Sequence, residues 1–185
     1  MSPGLTDLMM VAYLFFFYYL IAGPAHYCIR DLPRFRECFA GLFTIYGLGF
    51  IGYTFYPAIG PYAHLHFNGA LECGWFTRFV QPYVDGGSNG VDVFPSLHVA
   101  LSLYLLVFDW WYFRTRFWRV VVPCVVLWFS TVYLRYHYVV DLLAGILLTL
   151  VGLGVAASYA RSGLARELAR DEARALSAVR ERTEP

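Results

Sequence analysis

The chain has 185 residues, enough for one domain, and 59% of them are hydrophobic while only 15% are charged. Soluble domains carry about 25% charged residues, so this composition excludes an ordinary soluble protein and indicates an integral membrane protein. The formal net charge is +1, and all 14 basic residues are arginine. This nearly neutral charge gives no reason to expect a nucleic-acid partner.

Five apolar runs approach the length of about 20 residues that a helix needs to cross a bilayer. The first run lacks the basic flank of a signal peptide, so we expect a retained membrane helix there. A long connection rich in Gly and Pro, 57–93, separates the second run from the third. We expect this connection to form a re-entrant or interfacial loop, with a short interfacial helix over 71–84. The five runs are 8–27, 39–56, 94–112, 117–134 and 139–159.

The predicted fold is an all-α bundle of five transmembrane helices over residues 1–160, followed by a charged helical tail over 161–185. Five spans place 12 of the 14 arginines on one face, and only Arg78 and Arg135 on the other. The positive-inside rule makes the arginine-rich face and the tail cytoplasmic. The absence of lysine fits a high-GC genome, and we expect a bacterial plasma (inner) membrane.

Two short polar segments interrupt the apolar sequence. Pro-Ser-Leu-His occupies 95–98 and His-Tyr-Val-Val-Asp occupies 137–141, each at the end of an apolar run. Ionisable residues at a membrane boundary are costly and are usually retained for function. The predicted topology places both segments at the extracytoplasmic face, so we expect them to meet there.

The residue types in these segments suit phosphoryl transfer. His137 and Asp141 are spaced i,i+4 and share one helix face. A carboxylate beside an imidazole fixes its tautomer and stabilises its charged or phosphorylated state, so we interpret His137 as a nucleophile and Asp141 as its orienting partner. His98 is a candidate general acid. Ser96 begins a helix whose free amides can cradle phosphate, and Arg135 can neutralise a phosphate oxygen.

Each of these residues also has a purely structural interpretation. Ser96 can be an N-cap only, His98 an interfacial histidine, and Arg135 a side chain that reaches the interface from the membrane. His137 and Asp141 can be a pair that joins two helices. Two histidines and one aspartate also form a possible metal triad, but no further ligands support it. We therefore expect no metal and no other cofactor.

The two segments with their flanks resemble the second and third signature motifs of the type 2 phosphatidic acid phosphatase superfamily. Within it they resemble the inositol phosphorylceramide synthase branch, which has P-S-L-H followed by S-T-x-Y-L-x-x-H-Y-x-V-D. The matching residues here are 95–98 and 130–141, and the resemblance covers about 53–152.

This resemblance implies a bundle of usually six membrane helices and a metal-independent transfer through a phosphohistidine on His137. It implies the same roles for Asp141 and His98, and phosphate binding by Ser96. Three features depart from the family: there are five spans, 130–131 is Ser-Thr where the phosphatases have Ser-Arg, and the first signature lacks its lysine. Phosphate charge would then be met by Arg135, Arg78 and backbone amides.

The expected function is a membrane phosphotransferase that moves a phospho-head group from a phospholipid to an alcohol at the extracytoplasmic face. A phosphatase acting on a lipid phosphate or a polyprenyl pyrophosphate would use water as the acceptor. An alternative of another class is a non-catalytic membrane scaffold that binds a lipid phosphate, which the missing basic residues motivate. The sequence leaves these alternatives open.

Overall fold

The computed structural model describes residues 2–67, 71–164, 166–168, 170–171 and 173–174. The described residues contain no strand, and a single bridge joins Ala58 to Asp92. The predicted all-α class is therefore confirmed. The helices in chain order are α1 (Pro3–Arg30), α2 (Leu32–Phe55), α3 (Pro61–His64), α4 (Trp75–Gly86), α5 (Leu97–Tyr112), α6 (Arg114–Tyr133) and α7 (Val139–Arg161).

Four of the five predicted spans, α1, α2, α6 and α7, are long and apolar enough to cross a membrane. They also expose large apolar side chains such as Ile21 and Leu147, as a lipid-facing surface does. The remaining predicted span, 94–112, is α5, which has 16 residues. At 1.5 Å per residue it is about 24 Å long, shorter than the hydrocarbon core of about 30 Å.

The short helix α5 forms the centre of the bundle. It packs against α1, α2, α6 and α7, and Leu101, Tyr104, Leu105 and Phe108 are fully buried. A helix that is apolar on every side belongs in the interior of a bundle. The His98 segment at the start of α5 is therefore surrounded by the other helices.

The crossing of α5 and α7 joins the two polar segments. The Thr149 hydroxyl of α7 donates to the Ala100 carbonyl of α5 at 2.9 Å. The Ser96 amide donates to the Asp141 carbonyl at 3.1 Å. A Cβ at Gly145 would lie 2.6 Å from the Ser96 carbonyl oxygen. Since the helices touch at their backbones here, residue 145 must be very small.

We expect Gly145→Ala to destabilise the protein, because a methyl group would push α7 away from α5; overpacking of this kind costs about 1–3 kcal/mol. Gly154→Ala in the same helix is the matched control, since a Cβ there meets no atom within 4 Å. It should leave stability unchanged or raise it, because alanine favours a helix over glycine by about 0.5–1 kcal/mol. Thermal unfolding in detergent measures both. Equal midpoints for the two variants would contradict the close crossing.

The outer connection is attached to the bundle through α4. The Asp7 carboxylate of α1 accepts hydrogen bonds from the Thr77 amide at 2.9 Å and the Thr77 hydroxyl at 2.7 Å. A carboxylate near the first turn satisfies amides that have no partner within the helix. The short helix predicted over 71–84 is thus present as α4, and its location at the membrane interface stays a prediction. Trp75, Phe79 and Tyr83 form its exposed aromatic face.

A buried ionic cluster holds the opposite end of the bundle. Asp109 of α5 accepts hydrogen bonds from the Tyr19 and Tyr27 hydroxyls, each at 2.8 Å, and from the Arg116 Nε at 2.6 Å. Arg116 also donates to the Gly23 carbonyl at 3.1 Å. Removing one partner of such a pair leaves an uncompensated buried charge. This cluster therefore fastens α1, α5 and α6 to one another at the end away from the polar segments.

The tail begins at a bend at Ser162, directly after α7. The described residues between 163 and 174 are helical, and Arg174 lies 3.7 Å from Asp171 in an exposed ion pair. The rest of the predicted tail helix lies outside the described residues.

Candidate active site

The two polar segments meet where α5 and α7 begin. His98 lies in the first turn of α5, His137 in the turn between α6 and α7, and Asp141 in the first turn of α7. His137 Nε2 is 3.4 Å from His98 Nδ1, and His137 Nδ1 is 3.5 Å from an Asp141 carboxylate oxygen. The side chains of His137 and Asp141 are only 4% and 3% exposed. The structure therefore places the three predicted catalytic residues in one row.

Backbone hydrogen bonds hold the His137 turn. The Thr131 carbonyl accepts from the amides of Tyr136 and His137 at 3.0 and 3.1 Å. The Asp141 carboxylate accepts from the Tyr138 amide at 2.7 Å, which fixes it at the start of α7. Both the imidazole and its carboxylate are thus positioned by the junction of α6 and α7 rather than by mobile side chains.

The arrangement assigns the two nitrogens of His137 different roles. Asp141 lies beside Nδ1 at 3.5 Å without a hydrogen bond to it, and a carboxylate at that nitrogen favours the tautomer that carries its proton on Nδ1. In that tautomer Nε2, which points at His98, is the nitrogen with the lone pair. The two imidazoles are in hydrogen-bond range, so no space for a phosphate lies between these nitrogens. A phosphate placed between the two rings would have to separate them.

Three buried polar atoms of the site have no hydrogen-bond partner among the described residues. They are Ser96 Oγ, His98 Nε2 and His137 Nδ1. Buried polar atoms are normally paired, and an unpaired one costs about 1–3 kcal/mol. Ser96 occupies the N-cap position of α5 but makes no side-chain capping bond. A structural N-cap therefore does not explain Ser96, and the cluster suits a polar ligand.

His98 and His137 line one end of a cavity of about 680 Å³, which we call the main cavity. Its volume falls within the range of small-molecule sites. Its walls come from α1, α2, α4 and α5, from the connections before and after α4, and from the turn that carries His137. Most of the large side chains are aromatic, and the carboxylates of Asp85 and Asp92 also line the cavity. The aromatic residues of α1 and α2 that line it are Tyr13, Phe16, Phe17, Tyr46, Phe50 and Tyr53. A cavity that combines a broad apolar surface with polar groups suits an amphiphilic molecule.

The structure separates the two arginines predicted to meet phosphate. Arg135 lines the main cavity, and its backbone adopts a left-handed conformation with φ of 66°. Its carbonyl accepts a hydrogen bond from the Tyr62 amide at 2.7 Å, which holds this turn. Arg78 is exposed on α4 and does not line the cavity. Arg135 is therefore the arginine that the fold brings to the site.

Several residues around the histidines were not expected from the sequence. The His98 ring packs against Phe16 and Tyr13, with ring centroids 4.5 and 4.7 Å apart. Tyr136 accepts a hydrogen bond from Gln81 of α4 at 2.9 Å. In the sequence, the aromatics of the first run look like ordinary membrane anchors, and Gln81 lies in the short helix predicted within the long connection. No local signal distinguishes them.

No group of three or more His, Cys, Asp and Glu side chains is arranged for a metal ion in the part of the chain that the structure describes. The side chains that the structure brings together at the site are an imidazole beside a carboxylate, a second imidazole in contact with it, and a guanidinium at the cavity wall.

The chain is similar to a family of known proteins and to curated relatives. The family model of the PAP2 superfamily matches residues 1–155. The chain is 29% identical over 101 residues to a PA-phosphatase related-family protein of Dictyostelium discoideum, covering 51% of this chain and 18% of that protein. It is 38% identical over 74 residues to the inositol phosphorylceramide synthase of Candida albicans, covering 38% of this chain and 16% of that enzyme.

The chain thus spans less than a fifth of the length of these two curated relatives. No solved structure gives a significant match. The family match extends over both polar segments and over four-fifths of the chain, which confirms the resemblance drawn from the two motifs. The chain belongs to the PAP2 superfamily.

Proposed function

We propose that this protein is a lipid phosphotransferase that moves a phospho-head group from a phospholipid to a lipid or sugar alcohol without a metal. The observation that carries the proposal is the buried row of Asp141, His137 and His98, whose two histidines line a cavity rich in aromatic side chains. The row combines a nucleophile with its orienting group and a proton donor, and the cavity suits the apolar part of a lipid.

In the first step, His137 Nε2 attacks phosphorus. The N–P bond forms as the bond between phosphorus and the lipid oxygen breaks, and the His98 imidazolium gives its proton to that oxygen. Asp141 stabilises the positive charge that develops on the His137 ring. Arg135 is placed to balance the charge of the phosphate oxygens, and Ser96 Oγ supplies a further hydrogen bond.

In the second step, His98 acts as a base. It removes the proton from the hydroxyl of the acceptor, whose oxygen attacks phosphorus and releases His137. An alcohol as acceptor makes a new phospholipid, and water makes a free phosphate ester. The aromatic side chains of α1 and α2 that line the main cavity favour the alcohol, because they offer an apolar acceptor a binding surface beside the phosphohistidine.

The second candidate is hydrolysis of a lipid phosphate or a polyprenyl pyrophosphate by the same two steps. The PA-phosphatase related-family protein among the relatives supports it, while the inositol phosphorylceramide synthase supports transfer. The residues proposed to act are the same in both cases, and only the acceptor differs.

We place the site at the extracytoplasmic face of a bacterial plasma membrane. Arg30, Arg34 and Arg36 lie where α1 and α2 meet, and Arg114, Arg116 and Arg119 lie at the start of α6. These short segments lie at the end of the bundle away from His137. The positive-inside rule makes that end cytoplasmic.

The proposal predicts formation of a new phospholipid when purified protein in detergent receives a phospholipid donor, a long-chain alcohol and EDTA. The product should carry the donor's head group on the acceptor alcohol, and it should exceed free phosphate ester by about tenfold. Mass spectrometry of the lipids measures both products. A dominant phosphate ester despite excess alcohol would make the protein a phosphatase. Binding of lipid phosphate without turnover would leave the scaffold alternative.

A further inference from the structure

The main cavity offers phosphate few positive charges. Among the described residues that line it, Arg135 is the single arginine, while Asp85 and Asp92 add two carboxylates. A phosphate in this cavity therefore depends on neutral hydrogen-bond donors as well as on a guanidinium. The lining is rich in one such donor, the phenol hydroxyl. The tyrosines that line the main cavity are Tyr13, Tyr46, Tyr53, Tyr62, Tyr83 and Tyr136.

Tyr13 of α1 is held against the two segments that carry the catalytic histidines. Its ring centroid lies 4.7 Å from that of His98 and 5.0 Å from that of Tyr136, the residue before His137. The side chain is only 7% exposed. Packing against both segments leaves the ring little freedom, so a ligand that binds its hydroxyl has little side-chain entropy to overcome.

The hydroxyl of Tyr13 differs from those of the other buried tyrosines. The hydroxyls of Tyr19 and Tyr27 donate to the Asp109 carboxylate, and that of Tyr104 donates to a backbone carbonyl. Buried tyrosine hydroxyls normally find such a partner. The Tyr13 hydroxyl makes no hydrogen bond within the part of the chain that the structure describes, although its side chain lines the main cavity. It is therefore open to a ligand beside His98.

Building on the proposed function, we infer that the Tyr13 hydroxyl binds the transferring phosphate by donating a hydrogen bond to an oxygen that stays on phosphorus in both steps. His98 already serves the leaving and the attacking oxygen, which leaves the non-bridging oxygens for other donors. Negative charge is spread over these oxygens in the transition state of phosphoryl transfer. A donor fixed in advance at that place stabilises the charge without reorganisation.

Tyr13→Phe tests the inference, because it removes the hydroxyl and keeps the ring that contacts His98 and Tyr136. We expect kcat/KM to fall about 10- to 100-fold, the effect of losing a hydrogen bond to a charged group. The loss should be equal for a phospholipid and for a phosphodiester that releases 4-nitrophenol, because a non-bridging oxygen is common to both donors. Initial rates with the two donors measure it.

Tyr18→Phe is the matched control. Tyr18 lies on the same helix, is 66% exposed and does not line the main cavity, so this variant should keep full activity. Unchanged kcat/KM in Tyr13→Phe would overturn the inference. A loss with the phospholipid that disappears with the 4-nitrophenyl donor would also overturn it, because the hydroxyl would then act on the leaving oxygen.

Binding of octylphosphonate and octanol separates this inference from the proposed function. The two probes share their apolar chain, and the C–P bond of the phosphonate is not cleaved by this chemistry. Isothermal titration calorimetry in detergent should show octylphosphonate binding about tenfold more weakly to Tyr13→Phe, and octanol binding within about twofold of the unmodified protein. Equal weakening of both probes would show a packing role for Tyr13 and overturn the inference.

The two proposals then fail in distinguishable ways. An unmodified protein that turns over no donor but binds octylphosphonate through Tyr13 would refute the phosphotransferase and keep the phosphate contact. Full turnover by Tyr13→Phe, with unchanged octylphosphonate affinity, would refute the phosphate contact alone.

Discussion

Replacing His137 with alanine is expected to lower turnover of every lipid donor by a factor of about 10⁴ or more, because no phosphoenzyme can form. Incubation of the unmodified protein with a donor labelled at phosphorus should give a protein adduct that is labile to acid and stable to alkali, as a phosphohistidine is. The variant should give no adduct. Product formation and retained label on the denatured protein are the two measurements.

Two controls make the His137 result specific. His64→Ala, at an exposed histidine of the same outer face, should keep full turnover and full labelling. His137→Gly with added imidazole should regain part of the turnover, since free imidazole can occupy the vacated space and attack phosphorus. Labelling of His137→Ala at the level of the unmodified protein would place the nucleophile elsewhere.

His98→Asn is expected to slow transfer from a phospholipid by about 10²–10⁴, the usual contribution of a general acid. A phosphodiester whose leaving group is 4-nitrophenol needs little protonation, so its first step should be slowed by less than about tenfold. The second step, transfer to the acceptor, stays slow because the variant has no general base at position 98. We therefore expect a burst of 4-nitrophenol equal to the protein concentration, followed by slow release, in a stopped-flow absorbance measurement.

The contrast between the two donors distinguishes a proton donor from a packing residue. His98 contacts Phe16 and Tyr13, so a structural role would affect both donors equally. His98→Gln serves as a second variant of different length and should show the same contrast. Equal losses with the phospholipid and the 4-nitrophenyl donor in both variants would refute the assignment of His98 as general acid.

Much of the architecture follows from the sequence by local rules. The lengths of the apolar runs predict the long helices α1, α2, α6 and α7, since bilayer thickness sets the length of a span. Helix α5 is the exception, because its 16 residues are fewer than a span needs and it is buried among four other helices. The short helix α4 was predicted within a few residues of its limits.

The pairing of His137 with Asp141 was also determined locally, because a spacing of four residues puts both on one face at the start of a helix. The meeting with His98 followed from counting spans, which brings the starts of α5 and α7 to one face. The close contact between His98 and His137 depends on Gly145, whose missing side chain lets α7 touch α5. Composition does not predict how closely these two helices approach each other.

The tertiary structure alone decided which other groups reach the site. Arg78 and Arg135 are the two arginines of the predicted outer face, and of these two only Arg135, two residues before His137, lines the main cavity. The reason is that Arg78 lies on α4, which Asp7 holds at its first turn with this side chain exposed, while Arg135 lies in the turn that carries His137. Local spacing thus determined the pair proposed to be catalytic, and the packing of distant helices determined its surroundings.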